Sequence, residues 1–170
     1  THVEISGTAT FMPVISASTH PLRNLVIETG GSLTVNGTGI LQVAGKMGNS
    51  GTFNMANGTI ELNSTTEAQV IPANTFQSNS VKNLIISNTD NVTGVTLGGT
   101  LDVYESVTFG AAGRKLTTGG FLSFKSTASG TAWLGPLTGS NTITGDATVE
   151  RYIPLHAKAW QFLAAPTSGQ

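Results

Sequence analysis

The feature that most constrains this chain is a run of three apolar dyads between residues 23 and 43. In each dyad two apolar residues flank a single other residue, and the dyads are Leu25/Ile27, Leu33/Val35 and Leu41/Val43. A period of two is typical of a short strand with one buried face. The dyads begin eight residues apart with glycine-rich turns between them, which leaves no room for a crossover helix. The stretch therefore predicts short strands joined by tight turns.

A second copy of this pattern occurs at residues 81–87. The order apolar, basic, Asn, Leu, apolar, Ile is the same as in residues 22–27, and Asn83 follows Asn24 by 59 residues. If 59 residues span three coils, each coil takes roughly 20 residues, which lies within the range of solenoid repeats. A β-sandwich built from hairpins is the competing architecture, but its strands usually run longer and it gives no reason for the echo.

We therefore predict an all-β fold, a parallel β-helix (β-solenoid) of short strands with capping segments at both ends. The inward residues of one stack should include Leu25, Ile27, Leu84 and Ile86. The two asparagines should then lie at equivalent corners, where their side chains would hydrogen-bond turn backbone.

Three segments follow from this pattern. Residues 1–21 are expected to be an opening or capping segment, residues 22–154 the solenoid, and residues 155–170 a C-terminal cap or the start of another domain. In the last segment we expect Trp160, Phe162 and Leu163 to fold back over the last coil or to contact another polypeptide. The chain has neither an initiator Met nor a signal peptide, and we expect it to be a piece of a larger mature protein.

The composition narrows the possible partners. Charged residues make up 10% of the chain, against about 25% in ordinary soluble domains, and the net charge is −1. No basic face suggests nucleic acid or an anionic membrane surface, and no apolar run approaches the ~18 residues of a membrane span. The absence of cysteine excludes disulfides and thiolate metal sites. Low charge together with many Gly, Thr, Ser and Asn residues favours an extracellular β-rich protein.

Several short motifs carry a family resemblance. They are Asn-Leu-x-Ile, Gly-Gly-Ser-Leu-Thr-Val, Asn-Ser-Gly-Thr-Phe, the Phe-Met-Pro-Val-Ile run at 11–15, and the segments 145–154 and 159–167. They resemble the repetitive regions of large secreted and cell-surface proteins of Bacteroidota. The resemblance implies export by the type IX secretion route, an extracellular location and an adhesin-like or stalk-like role. It implies as partners the neighbouring domains of a parent chain and surface glycans or other cell-surface polymers.

No motif in the sequence predicts a catalytic, cofactor-binding or metal site, and we expect a non-enzymatic structural or adhesive segment. The acids are scattered, and His2, His20 and His156 lie far apart without a metal partner at helical or hairpin spacing. Each histidine is therefore interpreted as a surface residue.

A carbohydrate-active β-helix, either a polysaccharide lyase or hydrolase or a glycan-binding module, is the main alternative. Asp102 and Tyr104 share the outward face of a strand, and Arg114 and Lys115 follow about half a coil later. Acid, hydroxyl and base are the groups that such chemistry needs. Trp133 and Trp160 are candidate sugar platforms, although we expect them to cover the C-terminal end of the core.

An ice-binding solenoid is the second alternative, because such proteins present rows of Thr-x-Thr on a flat face. The pairs Thr8/Thr10 and Thr142/Thr144 have that spacing, but they lie at opposite ends of the chain rather than on successive coils.

Overall fold

The computed structural model describes residues 1–8 and 10–155, and nearly all of their regular structure is β-strand. One 3₁₀ turn occurs at Gln77–Asn79. No helix in the described part of the chain is long and apolar enough to cross a membrane. The strands are β1 (His2–Ile5), β2 (Val14–Ile15), β3 (Thr19–Leu22), β4 (Asn24–Ile27), β5 (Ser32–Val35), β6 (Ile40–Val43), β7 (Met47–Asn49), β8 (Thr52–Leu62), β9 (Gln69–Ile71), β10 (Ser80–Ile86), β11 (Val95–Leu97), β12 (Leu101–Phe109), β13 (Lys115–Thr117), β14 (Leu122–Phe124), β15 (Ser126–Thr127), β16 (Gly130–Thr131), β17 (Trp133–Leu134), β18 (Thr142–Thr144) and β19 (Ala147–Val149).

These strands wind into a parallel β-solenoid of about seven turns, which confirms the predicted fold class. Face 1 contains β1, β4, β7, β9, β11, β13 and β18. Face 2 contains β2, β5, the first halves of β8, β10 and β12, then β14 and β19. Face 3 contains β3, β6, the second halves of β8, β10 and β12, then β17. Pairing between turns is parallel, and within the described residues only the hairpin β15–β16 is antiparallel.

The eight-residue spacing of the first three dyads is the spacing from one face to the next. Residues 25–27 lie on face 1, residues 33–35 on face 2 and residues 41–43 on face 3, so the three dyads complete one turn. Along face 1, Val3, Leu25 and Met47 stand in one inward column with a step of 22 residues (25 − 3 and 47 − 25). A turn of roughly 20 residues is therefore what the structure has.

The 59-residue echo, however, does not place its two copies in one stack, and that prediction is wrong. Leu25 and Leu84 are both fully buried on parallel strands, but Leu25 lies on face 1 and Leu84 lies on face 3 between Ile60 and Val107. The offset runs from face 1 of the second turn to face 3 of the fourth, about two and two-thirds turns. Because every face needs the same alternation of apolar and polar residues, the pattern recurs without marking the face.

The inward residues form one continuous core along the axis. Most are completely shielded from solvent, as for Val35, Met55, Leu62 and Leu84, each 0% exposed. The core also holds an aromatic pair, because the rings of Phe53 and Phe76 lie 5.1 Å apart in a tilted arrangement. Burying a side chain of this size stabilises a fold by about 1.5–3 kcal/mol, so the core is the main source of cohesion between turns.

The two ends of the chain differ in what the structure describes. Residues 1–21, expected to be an opening segment, contain three strands that pair in register with β4, β5 and β6 and so have the form of a first turn. At the other end, β18 and β19 form the last described turn. Apart from Leu155, the expected cap at 155–170, with Trp160, Phe162 and Leu163, lies outside the described residues.

Candidate binding groove

The polar cluster singled out in the sequence is not brought together. Asp102 lies on face 2, where it pairs with Ser123, and Tyr104 lies at the following corner. Arg114 precedes β13 and Lys115 begins it, which places both on face 1. Half a coil leads to another side of a three-sided solenoid, so the predicted grouping of acid, hydroxyl and base is wrong.

The two asparagines of the echo occupy different environments. Asn24 is a corner residue as predicted, because its Oδ1 accepts a hydrogen bond of 2.9 Å from the backbone N–H of Lys46 in the next turn. Asn83 instead bonds side chains: its Oδ1 accepts from the Ser106 hydroxyl at 2.7 Å, and its Nδ2 donates to Glu105 at 3.2 Å. The predicted equivalence of the two corners is therefore wrong.

His2 and His20 are exposed, and His156 lies outside the described residues. One ring nitrogen of His20 is 3.1 Å from the carbonyl of Ala17. Within residues 1–8 and 10–155, no group of three or more His, Cys, Asp or Glu side chains could hold a metal ion.

The threonines form one column rather than a face. Thr8 and Thr10 lie in the connection after β1, outside any strand. Thr144 pairs with Thr117, and Thr117 pairs with Thr96, which gives a column of three threonines on face 1. The neighbouring position pairs Thr142 with Lys115, so the second column of a Thr-x-Thr row is interrupted by a charge.

Carboxylates join successive turns at the surface. Glu61 on the third turn accepts hydrogen bonds from Gln42 on the second turn, at 2.7 Å, and from Ser87 on the fourth. Glu105 on the fifth turn pairs with Lys82 on the fourth at 3.0 Å. In both cases a carboxylate that could have served acid–base chemistry holds turns together.

A groove of about 410 Å³ lies at the corner between faces 2 and 3. This corner groove draws its lining from four successive turns: Ala56, Asn57, Lys82, Tyr104, Glu105, Thr127, Ser129, Gly130, Thr131 and Trp133. In β12 the corner is marked by two consecutive exposed residues, Tyr104 and Glu105, between the buried Val103 and Ser106. The bend in the strand turns both side chains outward into the groove.

Trp133 supplies the second aromatic side chain of the corner groove. It was expected to cover the end of the core, but 52% of its surface is exposed. The register explains this, because Leu134 pairs with Val107 and continues the inward column, which turns Trp133 outward beside Ser106. Tyr104 is exposed to 41%, so two large aromatic side chains face solvent in one groove.

The charges in the corner groove are paired. The Lys82 ammonium lies 3.0 Å from Glu105, and the Asn83 amide also donates to that carboxylate. The hydrogen bond from Lys82 is the main reason that the pKa of Glu105 lies below its ordinary value of 4.5. Glu105 is therefore held as an anion, and its charge cancels that of Lys82.

The hairpin β15–β16 forms one wall of the corner groove. It replaces the two-residue corner of the previous turn with residues 125–132, and its strands are linked by a hydroxyl contact of 2.6 Å between Ser126 and Thr131. Its base is held by an ion pair between Lys125 and Glu150 and by a hydrogen bond of 2.8 Å from the Tyr152 N–H to Ser126 Oγ. The wall is thus fixed to the last turn.

Comparisons with protein-family models, with curated proteins and with solved structures give no match. The corner groove is therefore interpreted from its geometry. Sequence analysis did not find it because its residues come from turns separated by connections of unequal length. The one signal available was the break in alternation at Tyr104 and Glu105, which marks a corner but not what faces it.

Proposed function

We propose that this chain is a non-enzymatic structural and adhesive segment of a large secreted or surface-anchored bacterial protein. The observation that carries the proposal is the use of carboxylates as links between turns. Glu61 contacts Gln42 and Ser87 across three turns, and Glu105 and Glu150 each pair with a lysine of the preceding turn. Together with the continuous core, these contacts favour a part whose task is to hold its shape.

The dimensions suit a short spacer. Six spacings of ~4.8 Å between the seven turns give a rod roughly 30 Å long. Because each turn contacts only its neighbours, such a rod can be lengthened by adding turns without changing the existing ones. The resemblance to repetitive Bacteroidota surface proteins supports export by the type IX route and an extracellular location.

A stretching experiment tests the structural part of the proposal. With flexible handles at its ends, the protein should keep its length at low load and then lengthen in steps as turns detach. One turn of 22 residues, such as Leu25 to Met47, should release about 75 Å of chain at ~3.3–3.6 Å per residue. Smooth extension at low load, without steps, would contradict a load-bearing role.

An incubation assay tests the absence of catalysis. We expect no product from acidic or neutral polysaccharides, measured as new reducing ends or as the absorbance of unsaturated sugars. Asp102→Asn and Lys115→Ala serve as the matched variants, because these residues carry the hypothesis of a lyase or hydrolase. Product release that either variant abolishes would replace the structural proposal with an enzymatic one.

A further inference from the structure

We infer that the corner groove, lined by Tyr104 and Trp133, binds a short neutral oligosaccharide. This inference deepens the adhesive part of the proposed function and rests on it. It gives that function a site and a ligand class, which the resemblance alone does not.

The aromatic pair supplies the first argument. Tyr104 and Trp133 are 41% and 52% exposed, in a chain with 6% aromatic residues. A pyranose ring has one face of C–H groups with partial positive charge, and this face packs on the negative face of an aromatic ring. Two such platforms in one groove fit a ligand with several flat apolar faces.

The polar lining supplies the second argument. Asn57, Thr127, Ser129 and Thr131 place an amide and three hydroxyl groups along the same groove. These groups can donate and accept hydrogen bonds without a net charge, as the hydroxyls of a sugar require. A pocket that combines apolar surface with a few polar groups is the usual form of a small-ligand site.

The charge pair determines which class of glycan fits. Lys82 is neutralised by Glu105 at 3.0 Å, so the corner groove offers no unpaired cation to a uronate or sulfate. Glu105 in turn repels anions at neutral pH, since its pKa is lowered by the hydrogen bond from Lys82. The groove therefore favours a neutral sugar over an acidic one.

The length and the floor exclude two other ligands. The lining spans four turns, about 14 Å at ~4.8 Å per turn, which is longer than a single sugar ring. The floor strands β10 and β12 are each paired on both sides, so they offer no free backbone edge to which a peptide could add as a strand. A short oligosaccharide satisfies both conditions.

Binding is tested with the whole chain. An array of short neutral glucans, mannans, galactans and chitin-type oligosaccharides identifies a ligand, and calorimetry measures its affinity. Trp133→Ala and Tyr104→Ala should each weaken binding about tenfold, because a stacked ring contributes up to about 1.5 kcal/mol. Phe121→Ala is the matched control, since Phe121 is also 41% exposed but lies outside the groove. It should leave the affinity unchanged.

A charge variant tests the choice of a neutral sugar. Glu105→Gln leaves Lys82 without its counter-charge, and we expect this variant to bind oligogalacturonate, which the unaltered protein should not. Circular dichroism melts confirm that each variant is folded. Binding of oligogalacturonate but no neutral sugar by the unaltered protein would overturn the inference. So would equal losses in Phe121→Ala and Trp133→Ala.

The outcomes separate this inference from the proposed function. If no neutral oligosaccharide binds while the stretching steps are present, the groove inference fails and the structural proposal stands. If a bound oligosaccharide is cleaved, as chromatography after incubation would show, the non-enzymatic proposal fails and the groove remains a sugar site.

Discussion

Asn88 donates a hydrogen bond from its side-chain amide to Oε1 of Gln69 at 3.0 Å, and both side chains are buried. The same oxygen accepts the N–H of Ser64 at 2.9 Å, while the Gln69 amide donates to the carbonyls of Val43 and Gly45 at 2.8 and 3.0 Å. These bonds lie where face 1 is interrupted, because β7 and β9 do not pair. Two amide side chains thus replace part of the missing backbone ladder.

Replacing Gln69 by Leu should destabilise the solenoid at this interruption. The variant leaves two carbonyls, the Ser64 N–H and the Asn88 amide without their partner, and each unpaired buried group costs about 1–3 kcal/mol. Allowing for relaxation, we expect a loss of about 3 kcal/mol in the free energy of unfolding, measured in urea. Val70→Thr, at the exposed neighbouring position, should change it by less than about 0.5 kcal/mol. Equal stability of the two variants would contradict this role.

The fold was predictable because the sequence repeats a physical requirement at every strand. Dyads such as Leu33/Val35 show a buried face, and the short connections between them exclude helices. The face to which a strand belongs was not predictable. Leu25 and Leu84 satisfy the same requirement on different faces, and a pattern of period two contains no information about which neighbour a strand will have.

The corner groove was less predictable than the fold. Its residues Lys82, Tyr104 and Trp133 are brought together only when the turns stack in register. That register depends on connections of unequal length, such as the hairpin before Trp133. Side chains that share a turn were easier to relate to each other than side chains that share a corner.

Coupling between core residues tests the assignment of faces. Leu84→Ala should cost about 2–5 kcal/mol, because the side chain is completely buried. Combined with Ile60→Val, its neighbour in the same column, the loss should deviate from additivity by at least about 0.5 kcal/mol. Combined with Leu25→Ala, on another face two turns away, the losses should add. Coupling of Leu84 with Leu25 but not with Ile60 would contradict the observed register.

Two glycines in neighbouring positions should respond in opposite ways to alanine. A Cβ at Gly51 would lie 2.3 Å from the carbonyl oxygen of Gly31, which belongs to the backbone of the turn below. Gly51→Ala should therefore destabilise the protein by about 1–3 kcal/mol. A Cβ at Gly48 meets nothing within 4 Å, so Gly48→Ala should leave stability unchanged or raise it by up to about 1 kcal/mol. Denaturant unfolding of the pair measures both effects, and a similar loss in each variant would argue against close stacking at this corner.

The ion pair between Lys125 and Glu150 should make stability depend on pH at both extremes. The hydrogen bond from Lys125 lowers the pKa of Glu150 from its ordinary value of 4.5, and the same bond raises the pKa of Lys125 above 10.5. A carboxylate with a lowered pKa contributes stability that is complete above pH 4.5 and is lost as pH falls through the lowered value. A lysine with a raised pKa contributes stability that is complete below pH 10.5 and is lost as pH rises through the raised value.

The melting temperature of the protein should therefore exceed that of Glu150→Gln by a constant amount between pH 4.5 and 10.5. The difference should shrink below and above that window. Added salt should reduce it, because the pair is partly exposed to solvent. Glu28→Gln, which removes the same charge at an exposed position on the second turn, is the control and should show no such window. A difference between the protein and Glu150→Gln that stays constant down to about pH 2 would show that the carboxylate does not act through its charge.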